Sequence, residues 1–208
     1  KWYPPCSAGH GSGGMQQNLD MVRTVRETVG ENIELMLDAH QGWTREYAVE
    51  MAREMRPYRP RWLEEPVMGD DFEGYRAVRE AAGFPIAGSE THRNRWQAQA
   101  MLKAGAVDVY QPEPSQTCIT EMMRISELVA DYGKQMVPHC GYLPTMHVVA
   151  ALPRALCPYY EYLWNWNEYG QWFYRKKCQP VNGAMPLPPG PGLGLELDDD
   201  RIEKREEL

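Results

Sequence analysis

The 208-residue sequence lacks the features that mark membrane proteins and nucleic-acid-binding proteins. No apolar run approaches the roughly 18 residues that a transmembrane helix needs, and we expect no signal peptide. The formal net charge is −7 and the sequence contains no basic run. We therefore expect neither nucleic acid nor a membrane as a partner.

Cysteine is also scarce, and its spacing argues against two kinds of site. The five cysteines are odd in number, and none of them belongs to a CxxC motif. This pattern favours neither a disulfide framework nor a zinc site. The natural interpretation is a protein of the reducing cytoplasm.

What the sequence does contain is an alternation of strand-like and helix-like patterns within an ordinary globular composition, 43% hydrophobic and 25% charged. The helix before Pro57 is the clearest, with apolar residues at helical intervals at Tyr47, Ala48, Met51, Ala52 and Met55. The patterns predict strands around Lys1 and near 34–38, 61–65, 85–90, 107–111, 135–139 and 159–163. They predict helices near 15–29, 44–56, 71–82, 93–104, 117–132 and 145–154.

Short apolar strands separated by helices predict a parallel sheet and the α/β class. Polar residues recur at the carboxyl end of almost every strand, which favours a (β/α)₈ barrel of the TIM type over a doubly wound sheet. Seven strands are predicted, whereas a closed barrel needs eight, so we expect an incomplete barrel without its first strand. The partial barrel is predicted over residues 1–178, and the Pro- and Gly-rich residues 179–208 as an extended tail segment.

Three carboxylates stand at the ends of three successive predicted strands. Asp38 closes IELMLD, Glu64 lies in RWLEEP and Glu90 ends FPIAGSE, at equal intervals of 26 residues. Neighbouring parallel strands lie about 4.8 Å apart, so these side chains should converge. Because unpaired carboxylates would repel one another, and because hard oxygen ligands suit Mg²⁺, we predict that the three residues bind this ion.

Ionisable residues at other strand ends suit proton transfer. Glu113 and His139 lie on neighbouring predicted strands, and a carboxylate beside an imidazole produces a general base. Glu161 follows on the next strand and, if protonated, could donate a hydrogen bond to an oxyanion. His40 lies two residues beyond Asp38 and is a candidate acid on the opposite flank. Together these groups suit removal of a proton next to a carboxylate, with Mg²⁺ stabilising the enediolate.

The ordered motifs LDAH, WLEEP, GSE, QPE and VPH resemble the barrel domain of the mandelate racemase and muconate lactonizing enzyme family, in the enolase superfamily. The likeness is greatest to sugar-acid dehydratases of the rhamnonate dehydratase kind. This resemblance implies Mg²⁺ ligands at Asp38, Glu64 and Glu90. It also implies an amino-terminal capping domain, to which we assign no segment of this sequence.

The resemblance further implies roles for the other candidates. His139 and Glu113 match a histidine and carboxylate dyad, although Glu113 is one methylene longer than the usual aspartate. Glu161 matches the oxyanion donor, and His40 matches a histidine that helps to expel the β-hydroxyl in galactonate-type relatives. Lys1 takes roughly the place of a strand lysine that serves as the second base in racemases.

We therefore predict a Mg²⁺-dependent hydro-lyase that removes water from a sugar acid, an aldonate, and forms a 2-keto-3-deoxy acid. One alternative is a racemase or epimerase of a 2-hydroxy acid, which would use Lys1 as second base. Another is a metal-binding barrel fragment without turnover. Exposed barrel helices and the aromatic residues within 159–174 favour self-association as a homo-oligomer.

Two packing expectations complete the prediction. The aromatic residues within 159–174 should pack in the core and its loops, with a substrate or subunit surface as the alternative. Glu65 should face away from Glu64, because successive side chains of a strand alternate between faces. We expect Glu65 to form an ion pair with a neighbour such as Arg61 or a lysine, and not to bind the ion.

Overall fold

The computed structural model describes residues 1–204 and contains five short parallel strands in one sheet. The strands are β1 Met36–Asp38, β2 Trp62–Glu64, β3 Ile86–Gly88, β4 Val109–Tyr110 and β5 Gln135–Met136. Each strand pairs with the next one along the chain, and the order never reverses. A doubly wound sheet would reverse at a switch point, so the predicted α/β barrel class is confirmed.

The helices lie between the strands, as right-handed crossovers require. They are α1 Gly11–Val29, α2 Arg45–Met55, α3 Phe72–Ala82, α4 Arg95–Lys103, α5 Ile119–Asp131, α6 Thr145–Ala151 and α7 Trp164–Gly170. Side-chain caps begin three of them. Thr44 accepts a hydrogen bond from a backbone N–H of α2, Asp71 from one of α3, and Asn94 from two of α4.

Both faces of the sheet are buried, which explains why the strands read as continuous apolar runs. On the outer face, Leu37, Leu63 and Ile86 belong to the large core that they share with the helices. On the inner face, Trp62 belongs to a smaller cluster that also includes Tyr159. The full inner cluster comprises Trp62, Ala87, Val109 and Val137, with Met36 and Tyr159 packed against it.

Contacts between distant parts of the chain show that the sheet curves into a barrel. Tyr159 follows β5, and Glu34 precedes β1, at the two edges of the sheet. The Tyr159 hydroxyl donates a hydrogen bond to Glu34 Oε2 at 2.5 Å. A flat five-stranded sheet would hold these residues roughly 19 Å apart, given strands about 4.8 Å apart.

Two predicted strands are wrong. Residues 159–163 form no strand, because the chain leaves the edge of β5 where Pro158 has no N–H to donate. The strand expected around Lys1 is a single parallel bridge between Trp2 and Leu37. In that bridge the Trp2 amide donates to Met36 at 3.1 Å, and the Asp38 amide donates to Trp2 at 3.0 Å. Helix α7 was not predicted, because its aromatic-rich sequence has no helical apolar period.

The predicted tail contains little regular structure within its described residues. Residues 179–204 form isolated bridges and one short 3₁₀ turn at Asp199–Arg201. The last four residues of the predicted segment, 205–208, lie outside the described part of the chain, and the domain boundary at residue 178 stays a prediction. None of the helices within residues 1–204 combines the length and apolar character of a membrane span.

Candidate active site

The three predicted metal ligands meet at the carboxyl ends of β1, β2 and β3. Asp38 and Glu64 are directly paired across the two strands. Oxygen atoms of Glu64 and Glu90 lie within 4.8 Å of each other and of a ring nitrogen of His139. Their convergence follows from the parallel register, because strands in register end at the same edge of the sheet.

The space between Asp38, Glu64 and Glu161 holds a positive charge. Lys1 places its ammonium there, with Nζ 2.6 Å from Glu64 Oε1 and 3.5 Å from Asp38 Oδ2. Burial lowers the pKa of Lys1, but the charges of Glu64, Glu161 and Asp38 outweigh burial and raise it above its usual value. These neighbouring carboxylates therefore favour the ammonium form of Lys1.

The ionisation of the carboxyls also fits a divalent ion. Burial and the charge of Glu64 raise the pKa of Asp38 to about 7. Burial also raises the pKa of Glu64, but the Lys1 ammonium and the Trp62 indole N–H outweigh this effect and hold the pKa below its usual value. Trp62 Nε1 donates to Glu64 Oε2 at 3.0 Å. Buried carboxylate oxygens that face one cation form the hard donor set that Mg²⁺ requires, so the residues fit this ion.

His139 and Glu113 form a close pair. His139 Nδ1 lies 2.7 Å from Glu113 Oε2, so the longer side chain of glutamate still reaches the ring. The Ser115 amide donates to the other Glu113 oxygen at 2.9 Å and fixes the carboxylate. Burial lowers the pKa of His139, but hydrogen bonds with Cys140 and Glu113 and the charge of Glu161 raise it well above its usual value.

Two imidazoles approach opposite oxygens of Glu90. His139 Nε2 lies 3.1 Å from Glu90 Oε2, and His40 Nδ1 lies 3.9 Å from Glu90 Oε1. The backbone of His40 has a φ of 50°, and its amide donates to Asp38 Oδ1 at 2.9 Å. The His40 side chain is 74% exposed, so it is accessible from solvent.

Glu161 reaches the site from an irregular segment and not from a strand end. Its Oε1 lies 2.5 Å from Lys1 Nζ, and its Oε2 accepts the Cys140 amide at 2.7 Å. In this arrangement Glu161 accepts hydrogen bonds. The sequence assigns Cys140 no role at this site, but its Sγ lies 3.7 Å from His139 Nε2. Its place directly after the histidine in VPHC was the available signal.

The ion pair expected for Glu65 is wrong. Glu65 is fully buried, and its Oε1 accepts the amides of Ser89 and Glu90 at 2.5 and 3.3 Å. Arg61 instead contacts Gln135 Oε1 at 2.6 Å and Glu34. The backbone of Glu65 has a φ of 44°, which ends the strand and turns the carboxylate onto the next strand end. Burial raises the pKa of Glu65 to about 7.

A cavity of about 680 Å³ opens beside His139 and Glu113. Part of its wall comes from the aromatic segment, with Trp166, Tyr169 and Phe173 among the lining residues. Trp166 and Tyr169 are 72% and 77% exposed, so the expectation that these rings pack in the core is wrong for α7. Helix α7 has only seven residues and borders an open cavity, so too few neighbouring side chains are available to cover its aromatic rings.

The sequence profile of the enolase C-terminal domain-like family, which is the barrel domain of the mandelate racemase and muconate lactonizing enzymes, matches residues 7–201. The chain belongs to this family. The resemblance that the ordered motifs carry is thereby confirmed. As an enolase C-terminal-like domain, the chain has the parallel α/β fold that positions these strand-end residues.

Two curated relatives match nearly the whole chain. D-galactarolactone cycloisomerase of Agrobacterium fabrum is 30% identical over 205 residues, which cover 91% of this chain and 53% of that protein. Arabinonate dehydratase of Saccharolobus solfataricus is 29% identical over 200 residues, which cover 93% and 53%. The chain thus spans about half the length of the curated relatives that it matches.

Solved structures share the fold. A racemase from Streptomyces coelicolor with bound magnesium superposes with a TM-score of 0.82 at 25% identity, over 92% of this chain and 52% of that one. L-talarate dehydratase from a Polaromonas species, complexed with Mg and L-glucarate, gives a TM-score of 0.80 at 28% identity, over 89% and 51%. Both are solved with the ion that the donor set of this chain fits.

Proposed function

We propose that the protein carrying this chain is a Mg²⁺-dependent dehydratase of a sugar acid. The observation that supports this most directly is the position of Glu90. Its carboxylate lies close to Glu64, which is paired with Asp38 across the strands, and it also lies between two imidazoles, His139 and His40. An acid and a base on opposite flanks of a cation site suit the removal of a proton and a hydroxyl from adjacent carbons.

Asp38, Glu64 and Glu90 would hold the ion. When bound, Mg²⁺ supplies Lewis-acid stabilisation for the charge that develops on the substrate carboxylate, and its positive charge lowers the pKa of the neighbouring His139. Names of the matched relatives agree with this chemistry, since they include dehydratases of arabinonate, L-talarate and galactarate, and D-gluconate.

Proton transfer is assigned to the dyad. The Nδ1–H of His139 donates a hydrogen bond to Glu113, which leaves Nε2 as the acceptor for the proton α to the carboxylate. The β-carbon then loses its hydroxyl, which takes a proton from His40 or His139 and leaves as water. The resulting enol tautomerises to the 2-keto-3-deoxy acid. Glu161 as an oxyanion donor stays a prediction that requires a proton on this carboxyl.

Racemisation is less well supported, because its second base would have to be Lys1. That amine is paired with Glu64 and Glu161 at 2.6 and 2.5 Å and is held as an ammonium. A fragment that binds metal without turnover is the remaining alternative. The cytoplasmic location, the homo-oligomeric state and the capping domain also stay predictions.

We expect 2-keto acid to form when the protein carrying this chain is incubated with Mg²⁺ and a panel of aldonic and aldaric acids in D₂O. If His40 protonates the leaving hydroxyl, keto acid in the His40→Asn variant should fall by about 10²-fold while deuterium still enters the α-carbon, because His139 remains. Unchanged keto acid formation in this variant would assign that proton to His139. Deuterium exchange without keto acid in the unmodified protein would favour the racemase. If no acid of the panel gives keto acid or takes up deuterium, the result would favour a fragment that binds metal without turnover.

The affinity for Mg²⁺ should depend on pH. Burial and the charge of Glu64 raise the pKa of Asp38 to about 7, so below that pH a proton occupies this ligand in the metal-free protein. The proton must leave before the carboxyl binds the ion, so the association constant should rise by up to about tenfold per pH unit towards pH 7 and level off above it. Isothermal titration calorimetry across this range measures the slope, and an affinity that does not change with pH below 7 would contradict the prediction.

A further inference from the structure

Unusual backbone conformations are concentrated at the carboxyl ends of the strands. Glu65, directly after Glu64, has a φ of 44°, and Ser89, directly before Glu90, has a φ of 105°. Residues with a Cβ avoid these conformations, and glycine adopts them without cost. A glutamate and a serine at such positions indicate that their side chains do something that glycine would not.

The Glu65 carboxylate binds the backbone that carries Glu90. Its Oε1 accepts the Ser89 amide at 2.5 Å and the Glu90 amide at 3.3 Å. No part of the side chain is exposed, and the hydroxyl of buried Tyr75 interacts with the carboxylate. Hydrogen bonds from backbone amides to a carboxylate are stronger than those between neutral groups, especially away from water.

A second side-chain hydrogen bond links the end of β3 to the end of β4. Ser89 Oγ accepts the Gln111 amide at 2.8 Å, so side-chain oxygens tie the end of β2 to β3 and the end of β3 to β4. The absence of a side chain at Gly88 leaves space for the side chains of Glu65 and Tyr75. A Cβ at Gly88 would lie 3.0 Å from Glu65 Oε1 and 2.6 Å from the hydroxyl of buried Tyr75.

We propose that Glu65 is a positioning residue that fixes the backbone of Ser89 and Glu90, so that the Glu90 carboxylate faces Asp38 and Glu64. Glu65 itself touches neither substrate nor ion and acts through Glu90. The inference rests on the proposed function in one respect, because the role of Glu90 as a ligand belongs to that proposal.

Three substitutions separate positioning from general stability. Glu65→Met keeps the volume and removes the acceptor, Glu65→Asp keeps the charge but withdraws it by one methylene, and Glu65→Gln keeps an acceptor oxygen at full length. The matched control is Asp108→Asn, because Asp108 accepts the Ile86 amide at 3.2 Å at the opposite end of β3. Asp108 also binds Arg79 and Lys134, so its loss tests stability alone.

The first readout is Mn²⁺ binding by electron paramagnetic resonance, with Mn²⁺ in place of Mg²⁺. Loss of a residue that orients a ligand typically costs 10- to 100-fold in metal affinity. We expect that loss in Glu65→Met, about tenfold in Glu65→Asp, and at most threefold in Glu65→Gln and Asp108→Asn. Unchanged affinity in both Glu65→Met and Glu65→Asp, or an equal loss in Asp108→Asn, would overturn the proposal.

The second readout needs no metal. Hydrogen exchange of the Ser89 and Glu90 amides, followed by NMR, should accelerate at least tenfold relative to the Ile86 amide in Glu65→Met and Glu65→Asp and stay near its original rate in Glu65→Gln. If exchange is unchanged in both of the first two variants, Glu65 does not hold this backbone and the proposal is wrong. If the unmodified protein binds no divalent cation but exchange responds as expected, the proposed function fails while the anchoring by Glu65 stands.

Discussion

Replacing His139 with asparagine is expected to lower kcat for keto acid formation by about 10²- to 10⁴-fold, with a much smaller change in KM. Asparagine keeps a polar side chain of similar reach but cannot accept a proton at neutral pH. The hydrogen bond of 2.7 Å to Glu113 fixes the orientation of the imidazole. Keto acid release and α-proton exchange in D₂O measure the two steps, and both should disappear together.

A second histidine in the same chain is a suitable control for this experiment. His147 lies on α6 and contacts the carbonyl of Leu193 through Nε2 at 3.1 Å, away from the carboxylates. His147→Asn should therefore leave kcat within about threefold of the unmodified protein. Persistence of α-proton exchange in His139→Asn would show that another residue is the base, and the dyad assignment would then be wrong.

The second large effect is expected from Glu64→Gln, which should reduce the affinity for Mg²⁺ by at least about 10²-fold and abolish turnover at ordinary Mg²⁺ concentrations. Glu64 is the central carboxylate, since it is paired with Asp38 across the strands and lies close to Glu90. An amide has one carbonyl oxygen without charge, so it is a poor replacement. Calorimetric titration with Mg²⁺ measures the change directly.

An exposed glutamate gives the comparison for Glu64. The side chain of Glu73, in the first turn of α3, is 77% exposed, and Glu73→Gln removes one negative charge from the surface. Its effect on the affinity should be small, because charges far apart on the surface are screened by salt. Equal losses in the two variants would point to the overall charge of the protein and not to coordination by Glu64.

How far the sequence could predict the site differs between residues. The positions of Asp38 and Glu64 were predictable. Both residues end strands that recur at equal intervals in the sequence, so both side chains must lie at the same edge and on the same face of the sheet. The contact between His139 and Glu113 was predictable from adjacent strands. The partner of Glu65 was not, because its positive φ overrides the alternation of faces on which the expectation of an ion pair rested.

The sequence by itself determined the class of fold and the set of chemical groups at one end of the sheet. Apolar periodicity decides which residues are buried, and strand and helix must alternate wherever parallel strands are joined in order. Only the tertiary structure decided what depends on long-range contacts. It placed the Lys1 ammonium among the carboxylates, brought Glu161 in from an irregular segment, and left the rings of α7 at an open cavity. Residues far apart in the chain make these contacts, and local periodicity does not specify the distances between such residues.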